Sequence, residues 1–211
     1  PADLRAKCVL QREKMIEACA DMDEKIMEKF LEGNLDAISE GEIVAALRKG
    51  CTSFKFFPVI CGSAFKNKGV QYLLDAVTDY LPSPLDLPPA KGQSPDDGEI
   101  VVEAPSSDNV KFCALAFKLW SDKFVGKLVF IRVYSGSVSK GDTVYNPRTR
   151  KRERIGRLIQ IQSNQHKDIE TCYSGDIAAI VGIKNVTTGD TLANEDFEIL
   201  LEPPAFPEPV I

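Results

Sequence analysis

The sequence predicts an α+β multidomain chain: a helical first part carrying half of an α/β unit, then a proline-rich stretch, then a small antiparallel β-barrel. Three observations predict it. Apolar residues recur at spacings of three and four through the first 47 residues and again over 70–81. The prolines Pro82, Pro84, Pro88, Pro89, Pro95 and Pro105 crowd the segment that follows. From Val110 onward the period becomes two, in short runs separated by turn residues.

Taken in order, Met15, Cys19, Met22, Ile26 and Phe30 define one long amphipathic helix over residues 6–31, stopped by Gly33 and Asn34. Ser39 with Glu42 three residues on is a capping box that opens a second helix through Leu47, which Gly50 closes. The run Phe56-Phe57-Pro58-Val59-Ile60-Cys61 is almost continuously apolar and predicts a buried strand, with Pro58 favouring a sheet edge. Gly62-Ser63-Ala64 breaks it, Lys66-Asn67-Lys68-Gly69 forms a polar loop, and Val70, Leu73, Leu74, Val77 and Leu81 set a further helical stripe. A single strand with its helix cannot make a sheet, so its edges should seek cover, either beneath the helices or by pairing with a second copy in a dimer.

Residues 87–108 have linker composition. Strands then follow at 112–120, 128–134, around Val144, at 152–161 and at 177–181, the cadence of a small closed barrel. The Gly-Asp pairs at 141–142, 175–176 and 189–190 are read as turn chemistry rather than as a repeat, because their flanks do not match. The expected organisation is 1–86 as the first unit, 87–108 as linker, 109–203 as the barrel and 204–211 as a further linker. Pro1 in place of methionine and the proline-punctuated close both read as internal boundaries.

Composition narrows the functional classes. The 211 residues are 44% hydrophobic and 27% charged with a net charge of -5, as in a soluble globular chain. No apolar run approaches the roughly 20 residues of a membrane helix, so no membrane partner and a cytoplasmic location are expected. Six cysteines are scattered without a Cys-x-x-Cys pair and only His166 could join them, which argues against a metal site and for reduced, structural thiols. His166 lies in a segment, 161–167, expected to be a loop.

The residues from Val59 to Val70, then Leu74-Asp75-Ala76-Val77 and Tyr80-Leu81-Pro82-Ser83-Pro84, are similar to the end of the GTPase domain of the elongation factor G family. Ala114-Leu115-Ala116-Phe117-Lys118, Phe124-Val125-Gly126-Lys127-Leu128, Arg132-Val133-Tyr134-Ser135-Gly136, Glu153-Arg154-Ile155-Gly156-Arg157-Leu158, Gly175-Asp176-Ile177-Ala178-Ala179 and the run from Asn185 to Leu192 resemble that family's second domain. Phe206-Pro207-Glu208-Pro209-Val210-Ile211 resembles its passage to the third. The segment Ile161-Gln162-Ser163-Asn164-Gln165-His166-Lys167 departs from the family's usual Met-His-Ala-Asn.

The resemblance implies that the first part is a remnant of a P-loop GTPase domain and the barrel a translation-factor second domain. The parent would be a ribosomal translocase that uses GTP, with magnesium, to move tRNA and mRNA. Gly62, Ser63 and Ala64 would hold the guanine edge through backbone amides in that parent, as small residues that let a ligand approach the main chain. Neither the Gly-x-x-x-x-Gly-Lys-[Ser/Thr] phosphate loop nor an Asn-Lys-x-Asp motif is present in these residues, so this chain is expected to be no enzyme, without catalytic residues or a cofactor of its own.

A basic cluster of Arg148, Arg150, Lys151, Arg152, Arg154 and Arg157 stands out in an otherwise acidic chain. Strand alternation would put Arg150, Arg152 and Arg154 on one face, and with Arg157 these are the candidate contacts to ribosomal RNA. The implied partners are the ribosome, through RNA and protein, and the remaining domains of the parent; residues 11–29 read as a solvated helix face that could meet a ribosomal stalk protein. Competing readings are a ribosomal protection protein or release-factor GTPase, a stand-alone RNA-binding barrel, and a thiol enzyme. The run from Asn185 to Leu192 favours the translocase over the first, and the orphan strand, loop and helix argue against the stand-alone barrel.

Overall fold

The computed structural model describes residues 2–202 other than 124 and 164, so the expected linker at 204–211 and the 206–211 match lie outside the described residues. The chain divides into two compact units, Pro1–Asp86 and Leu87–Ile211.

Among the described residues the first unit holds four α-helices: α1 (Ala2–Ala20), α2 (Glu24–Leu31), α3 (Glu40–Thr52) and α4 (Val70–Tyr80). The single helix expected over 6–31 is two. Asp23 interrupts it, because its carboxylate takes the amides of Lys25 and Ile26 at 2.9 and 3.2 Å and so caps α2 in place of an intrahelical bond. The break lets α2 fold back, and Ile16, Cys19, Met22 and Ile26 share one core with Ile38, Ile43 and Ala46. The capping box forms as the sequence dictates, with Ser39 Oγ accepting the Glu42 amide and Glu42 accepting the Ser39 amide. Gly50 does not close α3. It lies within the helix, and the ring of Phe56 packs where its Cβ would stand.

Residues 56–61 are not a strand. Among the described residues no backbone ladder reaches 57–62, and Phe57 and Val59 are 78% and 90% exposed. The apolar pattern is that of a strand covered on both faces, but a lone segment finds no ladder to join within this chain. Segment 56–60 and α4 instead line an apolar groove of about 280 Å³ with Cys51, Phe56, Phe57, Ile60, Val77 and Tyr80 on its walls.

The second unit begins with two strands in the stretch expected to be linker, β1 (Ala90–Gln93) and β2 (Val101–Ala104). They are followed by β3 (Cys113–Asp122), β4 (Gly126–Ser135), β5 (Val138–Ser139), β6 (Thr143–Asn146), β7 (Lys151–Arg154), β8 (Arg157–Gln162), β9 (Gln165–Ile169), β10 (Thr171–Cys172), β11 (Ile177–Val181), β12 (Thr191–Ala193) and β13 (Leu200–Leu201). Eight strands form one antiparallel sheet in the order β7-β6-β12-β3-β4-β11-β8-β9. It wraps one core, to which Ala114, Val129, Ile131, Val133, Val144, Leu158, Ile180 and Leu192 contribute from six of its strands. On the opposite face of β3 and β12, Cys113, Leu115 and Ala193 meet Ala104, Ile199 and Leu201 of the small β13-β1-β2 sheet. That contact explains why 87–108 is ordered despite its prolines: Ala104 is wholly buried.

Two further corrections concern the strands. The run at 152–161 splits into β7 and β8 at Ile155-Gly156, where Gly156 donates to Val181 O at 2.9 Å and a Cβ would stand 2.8 Å from that oxygen. The expected loop at 161–167 is a hairpin in which Ile161 pairs with His166 across β8 and β9.

The three Gly-Asp pairs are turns of one design. Gly141, Gly175 and Gly189 have φ of 91°, 90° and 94°, the third position of a type II turn. In each, the following aspartate accepts the amide three residues back: Asp142 from Ser139, Asp176 from Tyr173 and Asp190 from Thr187, at 2.8, 2.9 and 2.9 Å.

Candidate functional site

In the first unit, the loop expected to read guanine is a short hairpin closed on itself. Ser63 and Lys68 exchange both backbone hydrogen bonds, at 2.9 and 3.0 Å, around a turn of 3-10 helix at Ala64–Lys66. Asn67 at φ 50° and Gly69 at φ 78° reverse the chain, and Gly62 and Gly69 pack main chain on main chain, with a Cβ on Gly69 lying 3.2 Å from Gly62 Cα. These bonds use the Ser63 amide and leave those of Gly62, Ala64 and Phe65 without a backbone acceptor among the described residues. An exposed loop with free, fixed amides fits a carbonyl ligand such as the guanine edge. Gly62, Ser63 and Ala64 are thus held together, and of the three only Gly62 and Ala64 retain a main-chain amide to offer.

The arginines of the second unit are not one uniform face. Arg150 lies in the turn before β7, in the left-handed region at φ 54°, whereas Arg152 and Arg154 project from β7 with buried Glu153 between them. Arg157 belongs to β8, where it makes a forked pair with Asp168 at 2.9 and 3.0 Å. Arg150 meets Asp96 at 2.8 Å, and Arg152 meets Glu195 at 2.6 Å. Arg154 reaches the carbonyl of Gly141 at 3.3 Å. The acidic partners come from sequence positions far removed, which is why the basic run itself carries no sign of them.

Arg148 has a different role. It donates to Asp190, which is 2% exposed and also takes Asn146 Nδ2 and the amide and hydroxyl of Thr187. Burial alone would raise the Asp190 carboxyl; hydrogen bonds from Arg148, Thr187 and Asn146 outweigh it and hold the group below its ordinary value. Glu153 is similarly satisfied, against the desolvation that opposes it, by the amides of Lys184 and Asn185 and by Asn185 Nδ2. Both carboxylates tie the barrel's turns to its sheet.

The thiols divide: Cys19, Cys113 and Cys172 are buried, Cys51 is half-buried, and Cys8 and Cys61 are exposed, which corrects a uniformly structural reading. Burial pushes Cys113 and Cys172 up to about 12, so neither is a nucleophile at neutral pH. His166 is exposed on β9. Among the described residues no group of three His, Cys, Asp or Glu side chains is placed to hold a metal, and no helix is long and apolar enough to cross a membrane.

Residues 126–193 match the family model of elongation factor Tu domain 2. The chain is also similar, with a TM-score of 0.73 and 21% identity, to a crystal structure of a protein from Thermus thermophilus. That likeness covers all of this chain and 29% of the other, so the chain spans under a third of the length of the protein it matches. At this identity the likeness is one of fold. The family match is confined to β4 through β12 of the barrel.

Proposed function

We propose that this chain is an internal piece of a ribosomal translocase, in which GTP hydrolysis by the intact protein moves tRNA and mRNA. One observation carries the reading: a barrel of the translation-factor type follows a unit whose last α-helix is preceded by a Gly-Ser-Ala loop with free amides, and that helix borders an apolar face left open. The order of these elements is that of the GTPase and second domains of the family. The groove along α4 and residues 56–60 is where the remainder of a GTPase sheet would pack, since Phe57, Val59, Leu73 and Leu74 are otherwise exposed to water.

The division of labour follows from the residues present. Gly62 and Ala64 would donate to the guanine carbonyl and fix the base. Phosphate and magnesium ligands would come from residues outside these 211, and the chain alone performs no phosphoryl chemistry. When bound in the intact protein, the nucleotide supplies the energy of the cycle. The barrel serves as the ribosome-facing body, with Arg150, Arg152 and Arg154 meeting RNA phosphate.

Co-sedimentation of the chain with ribosomes over a range of salt concentrations tests this reading. Association should weaken linearly on a log–log plot, and reversing Arg150, Arg152 and Arg154 to glutamate should flatten the slope by about 0.7–0.9 for each phosphate no longer met. A folded reversal variant with the parental slope would remove these arginines from the interface.

A further inference from the structure

Arg152 stands on the edge strand β7 of the eight-stranded sheet and Arg150 in the turn that leads into it, and each is met by a carboxylate from a separate loop. Asp96 belongs to the turn of the β1–β2 hairpin, which is ordered by the Asp97 carboxylate accepting the Glu99 amide at 3.0 Å and by Ser94 donating to Ile100 O at 2.9 Å. Glu195 follows β12. Neither loop is continuous with β7, yet both deliver an acidic group to its arginines. Lys151 makes no ion pair among the described residues, and Arg154 has only a carbonyl. The edge therefore holds four cations, two of them already engaged.

We propose that Asp96 and Glu195 act as phosphate stand-ins: they occupy Arg150 and Arg152 in the free protein and are displaced when RNA reaches the β7 edge. The proposal rests on the ribosomal reading above and adds its regulation. All four side chains are more than half exposed, at 71% and 63% for the first pair and 66% and 55% for the second. Exposed pairs of this kind contribute little stability, so they exchange readily for another anion. An RNA backbone presents several phosphates in a row, and it can engage Arg152 and Arg154 on one face of β7 together with Arg150 in the turn before it, which neither carboxylate can do. The stand-ins keep the arginines from sparse or isolated anions and yield to a dense array. The RNA contacts at Arg150 and Arg152 each exchange a protein carboxylate rather than only a solvated ion, which lowers affinity and raises selectivity for closely spaced phosphate.

Fluorescence anisotropy with a labelled RNA hairpin tests this on the whole chain. The double variant Asp96→Asn, Glu195→Gln should bind roughly five- to tenfold tighter at low salt, the factor expected from freeing two exposed arginines. Glu170→Gln removes a carboxylate that pairs with Lys140 away from this set, and it should leave affinity close to the parent. Equal tightening by Glu170→Gln would assign the effect to net charge and overturn the stand-in role. Unchanged binding in the double variant would overturn it as well, while loss of binding on reversing Arg150, Arg152 and Arg154 would keep the edge as the RNA surface. A parent chain that fails to bind the hairpin, or a reversal variant that binds as before, would sink both. Circular dichroism of each variant guards against loss of fold.

Discussion

Replacing Asp190 with alanine should cost the barrel unit about 3 kcal/mol, read from urea unfolding followed by the fluorescence of Trp120, the only tryptophan. Breaking a buried charged pair typically costs about 3–5 kcal/mol, and the lower figure applies because Arg148 keeps 52% of its side chain in solvent. The loss goes beyond one ion pair. Asn146 is wholly buried and its amide would lose its partner, and the Thr187 amide and hydroxyl would lose theirs. The same carboxylate predicts a pH dependence. Its folded value is depressed, so its contribution is fully present above the unfolded value near 3.9 and is lost as pH falls through the folded value. Acid unfolding of Asp190→Ala should accordingly be less steep than that of the parent. A cost under about 1 kcal/mol would mean the turn at 187–190 is held by its backbone alone.

Gly136→Val should be still more damaging and leave the second unit unfolded or insoluble. The glycine has φ of 68°, a region that β-branched residues rarely adopt. A Cβ there would stand 2.6 Å from Phe112 Cα, Phe112 N and Val110 O, all main-chain atoms that cannot rotate away. The Gly136 amide meanwhile donates to Ser107 O at 2.7 Å, so the turn cannot retreat without losing that bond. Gly126→Ala provides the contrast: its φ is 86°, but nothing lies within 4 Å of the added carbon. It should cost only backbone strain, about 1 kcal/mol. Thermal unfolding by circular dichroism separates the two, and similar melting of both variants would show that φ rather than the close approach sets the cost.

How much of the fold is legible in the sequence depends on the range of the interaction. The Ser39–Glu42 capping box, the α4 stripe and the alternation of β3 and β4 are local and form as the sequence indicates. The three Gly-Asp turns do too, since each is built within four residues. The break at Asp23 is hidden because an apolar period runs straight through it, while a capping aspartate can start a new helix wherever its side chain finds the next amides. Residues 56–61 mislead for the opposite reason: a strand is a relation to a partner, and apolar pattern alone does not provide one. The β1–β2 hairpin is masked by linker-like composition, although Ala90 and Ala104 pair at its open end. At the arginine edge the basic residues are visible, but Asp96 lies 54 positions from Arg150 and Glu195 lies 43 from Arg152. No local signal records such distances.

In the proposed function, residues 62–64 form the guanine-reading end of a GTPase whose phosphate and magnesium ligands lie outside these 211 residues. Calorimetric titration with GDP and magnesium, performed on this chain and on the product of the full reading frame that encodes it, tests it most directly. The chain should give a flat trace and the full product should bind. Ala64→Pro in the full product should weaken binding at least about tenfold, because it deletes one free donor at a position where the first turn of a helix tolerates proline. Micromolar binding by the chain alone, or full-product binding indifferent to Ala64→Pro, would contradict the account.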